Sequence, residues 1–334
     1  MVIPVYDEPR WIGTVVDDVC AAIARAPFGD PEIVVVDDGS GPATQAALAA
    51  LSPAVPLRVL RQGNAGRFAA RRAGVSAARG DLVLLIDSRV SIRPDALAFV
   101  AAHLPADGTP AYWNAHVDID VAGNPYARFW NALTEAAFAD YFRDPRTTSF
   151  GLEEFDRFPK GTTCFLAPRE DLLWAMERFS SYYDDARDAN DDTILIRALA
   201  ERARINISPG FSCLYRARDT GGRFLRHTHH RGVVFVDGHL RRGARFAPAI
   251  VAFLPLSLLA AAAALRHPRR ALALAPAAPL AAAAAAVALR RPPRDVLTLA
   301  WLGPVWAAAY GAGIWRGVAK ALAATWRRRR GAAG

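Results

Sequence analysis

Residues 33–40 read IVVVDDGS: four β-branched residues, two carboxylates, then a Gly-Ser turn. A run so uniformly apolar is a strand buried on both faces, as in a parallel sheet covered by helices. The predicted strand runs Glu32–Val36. Its carboxyl end is marked by Asp37 and Asp38, where open α/β sheets bind their ligands. Working outward, residues 2–6 (VIPVY) are extended, and 11–26 carry apolar residues at helical spacing. Beyond the turn, a helix through Leu51, a strand at Leu57–Leu60, a helix at 66–78 and a strand at Leu82–Ile86 repeat the alternation. That β-α-β-α-β order predicts an α/β fold with a mostly parallel sheet. Asp87 ends the last of these strands.

From about residue 90 the pattern becomes α+β. A helix is expected at 94–103, an extended segment at 110–121, an aromatic-rich stretch at 126–142, and helices near 169–179 and 191–203, with a loop ending in KGTTCFLAP (160–168) between. In WNAHVDID, Asn114, His116, Asp118 and Asp120 alternate and so share one face of a strand, either lining a pocket or facing solvent. The last third changes character. Phe246–Leu265, Ala271–Leu289 and Val296–Trp315 are each about the length needed to cross a bilayer core, roughly 20 residues. The division predicted is a globular domain over 1–240 and a membrane region over 241–334. Three spans would put the tail WRRRR (326–330) outside, against the preference of arginine for the cytoplasmic side. A hairpin of two spans with an interfacial third helix would keep it inside.

The chain carries 41 Lys and Arg against 32 Asp and Glu, a formal charge of +9, and a pI near 10.0. Such a balance favours anionic partners, among them lipid head groups and nucleotide diphosphates. The basic residues gather beside apolar segments without interleaved aromatics, so no nucleic-acid partner is expected. Cys20, Cys164 and Cys213 lie far apart with no metal-ligand spacing, which predicts neither a disulfide framework nor a zinc site. Asp7, Glu8 and Arg10 interrupt the first ten residues, so no signal peptide is expected there, and the globular domain is expected in the cytoplasm.

VIPVYDE (2–8), VVVDDGS (34–40), NAGRFAARRAG (64–74), LLIDSR (84–89) and DDTILIRAL (191–199) resemble, in order and spacing, the signatures of family 2 glycosyltransferases. The resemblance covers roughly residues 1–240. It implies a GT-A (Rossmann-like) domain followed by C-terminal transmembrane helices, and a cell-membrane, multi-pass protein. It also shortens the first strand, since members usually have several residues before VIPVY where this sequence has Met1.

The resemblance further implies roles. Pro4, Tyr6 and Glu8 would contact base and ribose, and Asp38 would accept from the pyrimidine N–H. Asn64, Arg67 and Arg71 match the segment that shapes the nucleotide pocket, with Arg72 where asparagine is usual. Asp87-Ser88-Arg89 occupies the D-x-D position that binds a divalent ion, Mg²⁺ or Mn²⁺, across the donor diphosphate. The second carboxylate is absent. Either Asp87 holds the ion with phosphate oxygens completing its shell, or Arg89 supplies positive charge directly. Asp191-Asp192 matches an acid pair whose second member, Asp192, would be the general base, while Asp191 caps the helix. Lys160, Gly161 and Thr162 resemble a loop that touches sugar or acceptor, and Arg231 is what remains of a Q-x-x-R-W motif.

Function follows as an expectation: inverting transfer of a sugar from a nucleotide-diphosphate donor to a lipid-linked or cell-envelope glycan acceptor, with membrane lipids as further partners. Two alternatives stay open at this level. One is a polyprenyl-phosphate glycosyl synthase; the other is a non-catalytic assembly protein that binds nucleotide sugar.

Overall fold

The computed structural model describes residues 1–241 and 244–331. In chain order the elements are β1 (Val2–Val5), α1 (Ile12–Ile23), β2 (Ile33–Asp38), α2 (Pro42–Ala49), β3 (Leu57–Gln62), α3 (Arg67–Ala77), β4 (Leu82–Ile86), β5 (Val90–Ile92), α4 (Ala96–Ala102), β6 (Tyr112–Ile119) and α5 (Pro125–Ala137). They continue with α6 (Ala139–Phe142), β7 (Thr148–Phe150), β8 (Cys164–Pro168), α7 (Arg169–Glu177), α8 (Asp191–Ala200), β9 (Ile205–Tyr215) and α9 (Gly221–His239). The last four are α10 (Ala247–Arg266), α11 (Pro268–Leu274), α12 (Ala277–Ala288) and α13 (Pro293–Gly331).

The chain divides into two compact units. The first comprises residues 1–120, 138–180 and 191–216, and holds a nine-stranded sheet in the order β3-β2-β1-β4-β8-β6-β9-β5, with β7 also on β9. Alternation along the strands feeds both faces. Ile33 and Val35 enter a core with Ile12, Val16 and Val19 of α1, while Val34 and Val36 enter another with Phe68 of α3 and Leu195 and Leu199 of α8. The expected parallel arrangement holds from β3 through β4. Past β4 the sheet is mixed, because β8 pairs antiparallel with both β4 and β6, and β9 runs parallel to β6. That reversal follows from connections that wander through α5 and α6 instead of returning by one crossover helix.

The order of strands positions everything that follows. β2, β1 and β4 are parallel neighbours, so residues 6–8, 37–41 and 87–89 leave the sheet at one end. Antiparallel β8 brings residues 161–163 to that same end, where the Asp87 amide donates to the Thr163 carbonyl at 2.9 Å.

The second unit comprises residues 121–137, 181–190 and 217–334. The expected membrane region 241–334 includes residues 242–243 and 332–334, which lie outside the described residues. Among the described residues, three helical stretches are long and apolar enough to cross a membrane: Ala247–Arg266, Pro268–Ala288 and Pro293–Arg330. The second is broken near Pro276 into α11 and α12. The third continues well past the predicted Trp315, making α13 a helix of 39 residues.

α13 packs along α9 through small residues. A Cβ at Gly232 would come within 2.2 Å of the Tyr310 carbonyl oxygen, and one at Gly313 within 2.1 Å of the His229 carbonyl. Backbone touches backbone there, which only glycine permits. Around this contact Phe129, Phe224 and Leu302 form one buried cluster, and Val236, Ile250 and Ile314 another.

Candidate active site

Arg71 is the centre of the site. It lies on α3, 2% exposed, and its guanidinium meets three carboxylates: Asp87 at 2.7 Å, Asp192 at 3.2 Å, and Asp191 in a short contact. Burial by itself works to lower the Arg71 pKa, yet Asp87, Asp191 and Asp192 together raise it, so the side chain stays charged. Burial pushes the Asp87 carboxyl up, with Arg71 and Arg67 opposing. Arg67, one turn earlier on α3, stands 3.6 Å from Asp191. Arg72, where asparagine is usual, is exposed, with its guanidinium 5.8 Å from the Phe68 ring.

The two acids open α8. Asp191 is buried and faces Arg71 and Arg67, so its carboxylate is committed to ion pairs in place of the expected cap. Asp192 also accepts a hydrogen bond from the Thr162 hydroxyl. Gly161 stands beside it: a Cβ there would be 3.8 Å from the Asp192 Oδ2. The Gly161 amide donates to Asn114 Oδ1 at 3.0 Å, and Asn114 Nδ2 donates to the Pro159 carbonyl. Asn114 therefore props the 159–161 loop. His116 meets Tyr141, and Asp118 lies 3.4 Å from Arg93, so these alternating polar residues engage neighbouring side chains.

Lys160 differs from its neighbours. Its ammonium donates to the Phe155 and Phe158 carbonyls and lies 4.3 Å above the Phe155 ring. Burial lowers its pKa to about 8, Asp156 opposing. It braces the loop from inside, because a lysine stem this short of solvent finds its partners among nearby carbonyls.

On the nucleotide side, Pro4 is buried in β1 and Tyr6 is 53% exposed just beyond it. Asn64 is exposed in the loop before α3. Asp38 accepts from the Gln62 side chain at 2.7 Å and from the amides of Ala65 and Gly66 at 2.8 and 2.9 Å. Its carboxylate thus shapes the loop that leads into α3, a role its expected contact with a base did not include. Asp37 was expected at the ligand end of its strand, while Ser40 and Asp7 were given no site role; together they lace the first two strand ends. Asp37 accepts from the Ser40 amide, Ser40 Oγ from the Asp7 amide, and Asp7 from the Gly41 amide. Gly39, at φ +80°, allows the Asn64 backbone to approach where a Cβ would sit 2.7 Å from its nitrogen.

Glu8 and Arg89 pair at 3.1 Å with both side chains largely buried. Arg231 belongs to the second unit, on α9, with its guanidinium 5.6 Å from the Trp130 ring. Among the described residues, no group of three or more His, Cys, Asp or Glu side chains could hold a metal ion.

Comparison with known proteins adds the following. The family described as Glycosyl transferase family 2 matches residues 1–172. A protein named Succinoglycan biosynthesis protein ExoO, from Rhizobium meliloti, is 30% identical over 225 residues, which is 63% of this chain and 60% of that protein. Dodecaprenyl-phosphate galacturonate synthase from Rhizobium johnstonii is 32% identical over 107 residues, 31% of each chain. This chain thus spans 60% of the length of the first of these curated relatives and 31% of the second. Among solved structures, mannosyltransferase PcManGT from Pyrobaculum calidifontis, in complex with GDP-Man and Mn²⁺, superposes with a TM-score of 0.56 at 22% identity, covering 95% of this chain and 86% of that one. The likeness shows a shared fold: a GT-A sheet domain followed by C-terminal helices.

Proposed function

The chain belongs to glycosyl transferase family 2, and on that premise we propose that it transfers a sugar from a nucleotide-diphosphate donor to a lipid-linked or cell-envelope acceptor at the cytoplasmic face of the membrane. One observation carries the reading. Arg71 gathers Asp87, Asp191 and Asp192 beside Gly161 and Thr162, at the end of the sheet where the loops after β1, β2 and β4 emerge. Residues 1–240 would carry the chemistry and 241–334 the membrane attachment.

Asp192 takes the proton of the acceptor hydroxyl as that oxygen attacks the anomeric carbon. The bond from that carbon to the diphosphate breaks, and the nucleoside diphosphate leaves with its electron pair. A single displacement inverts the anomeric centre. Thr162 and Arg71 fix the orientation of Asp192, and Asp191 holds Arg71 and Arg67 in place. The nucleotide would be bound by Tyr6, Pro4 and Asn64, with Asp38 acting through the loop it shapes. Gly161 and Thr162 would border sugar and acceptor, and Arg231 would act at the acceptor.

The donor set suits a divalent ion that arrives with the donor better than one held by protein alone. Asp87 offers one carboxylate, and magnesium is commonly bound by one or two carboxylates plus substrate phosphates. Mg²⁺ or Mn²⁺ so held would neutralise charge on the leaving diphosphate.

A second reading, a polyprenyl-phosphate glycosyl synthase, is supported by the similarity to the dodecaprenyl-phosphate galacturonate synthase. Membranes containing the full chain, supplied with a panel of labelled nucleotide sugars, test both. Label in an extractable lipid phosphate favours the synthase, and label in an envelope glycan favours the first reading. Binding of nucleotide sugar with no product from any donor would leave only an assembly role.

A further inference from the structure

α13 has two faces. Leu297, Trp301, Val305, Trp315, Leu322 and Trp326 are exposed, and with Ala308, Ala312 and Ala319 between them they recur every three or four residues. That spacing draws one continuous apolar stripe, about 44 Å long at 1.5 Å per residue. The opposite face is packed, at Leu302, Gly313 and Gly317, on other parts of the second unit.

Two anchors fix the helix near its ends. Asp295 pairs with Arg128 of α5 at 3.3 Å, and Arg327 pairs with Asp184 at 2.8 Å, with Lys320 and Asp188 in contact between. Residues 121–137 begin and end in the first unit, as do residues 181–190. No apolar segment of spanning length separates either anchor from that unit, so both stand on its side of the membrane. A helix crossing a bilayer would carry one of its ends to the other side. It would also draw α9 into hydrocarbon, with Arg223, Arg226, His229, His230 and Arg231, at a cost that membrane proteins avoid outside functional pathways.

We infer that α13 lies in the plane of the membrane, its stripe seated in an anionic lipid leaflet on the same side as the first unit. The occupant is lipid because α13 follows directly on α10–α12, the most apolar and least covered part of the chain. The charge beside the stripe agrees: Arg316, Arg329 and Arg330 are exposed, and the Arg330 guanidinium lies 3.8 Å over the Trp326 ring. Tryptophan at the interface with arginine beside it is the side-chain chemistry of a surface helix.

The full chain in vesicles of mixed zwitterionic and anionic lipid, spin-labelled singly at Val305→Cys, Ala312→Cys, Ala319→Cys and Leu322→Cys, gives the test. Cys20, which is partly exposed, is first replaced by serine, Cys164 and Cys213 being buried, and that protein without an added cysteine provides the background. Equal, shallow depth at all four positions is expected. A depth that sweeps through the bilayer from one label to the next overturns the inference in favour of a span, and labels exposed to water throughout overturn lipid as the occupant. Omitting anionic lipid is expected to raise the Leu322 label toward water; unchanged depth overturns the anionic leaflet. A second measurement does not depend on the stripe. Arg290→Cys and Arg329→Cys should react with a membrane-impermeant maleimide from the same side of sealed vesicles, and reaction from opposite sides refutes the in-plane placement.

Discussion

The Arg89 guanidinium sits 3.1 Å from the Glu8 carboxylate, joining the end of β4 to the end of β1. Its charge is therefore balanced within the protein before any diphosphate arrives, which argues against Arg89 as the principal positive charge on the leaving group. Activity is accordingly expected to require Mg²⁺ or Mn²⁺, weakly bound because the D-x-D position offers Asp87 without its second carboxylate. Addition of EDTA to the membrane assay should abolish product formation. Full turnover in EDTA would instead make Arg89 the source of charge, and Arg89→Ala would then be inactive even when Glu8→Gln removes its buried partner.

Asp192→Asn keeps the shape of the side chain and a hydrogen-bond acceptor for Thr162 and Arg71. Turnover is expected to fall about a hundredfold or more while donor binding, read by nucleotide-sugar titration, is retained. Near-normal turnover would remove Asp192 from the role of base.

Arg71→Met would leave three carboxylates facing one another with only Arg67, 3.6 Å from Asp191, beside them. Breaking a buried ion pair from one side typically costs about 3–5 kcal/mol. Denaturant unfolding should show a loss of that order, and the deficit should shrink as pH falls, since protonating Asp87, whose carboxyl burial already pushes up, removes part of the repulsion. A variant as stable as the parent at neutral pH would mean that the cluster relaxes or takes up another cation.

Lys160 gives a pH dependence of opposite sense. Its pKa is lowered by burial to about 8, below that of an exposed lysine, so the folded state holds fewer protons than the unfolded chain between about pH 8 and 10.5. Its burial opposes folding by about 3 kcal/mol below pH 8, and that penalty fades as pH rises through the window. The difference in stability between the parent and Lys160→Met should therefore change across pH 8–10.5, in favour of the parent at the upper end. A difference independent of pH would show that the ammonium is not held as the structure holds it.

The parallel half of the sheet was legible because IVVV and LVLLI are continuous apolar runs ending in carboxylates and turn residues. β8 and β9 were not. Cys164–Pro168 is five residues long and ends in proline, so it reads as the tail of a loop. Ile205–Tyr215 contains Pro209-Gly210, and there the pairing with β6 shifts register between Ala115 and His116. Proline and glycine signal a turn locally, whereas here they mark an irregularity inside a strand. At the site, Arg71, Asp87, Asp191 and Asp192 were singled out from three separate motifs, and their convergence on one guanidinium required the fold. The Glu8–Arg89 pair joins residues about eighty positions apart, and no local pattern announces it. The surroundings of Lys160 were hidden for the same reason: sequence places it beside Gly161 and Thr162, while burial turns its ammonium onto the Phe155 and Phe158 carbonyls.

The backbone contact between Gly232 and Gly313 has a consequence for synthesis. α9 is complete at His239, but the helix that covers it begins only after residues 240–292 have followed. At roughly 5–20 residues per second, several seconds pass in which the bare groove around Gly232 has no partner. During that interval the apolar segment α10–α12 is also being made. The nascent protein is thus most vulnerable to chaperone capture and proteolysis just before α13 arrives, and a ribosome stalled between residues 240 and 292 would hold a folded sheet domain above an open seam.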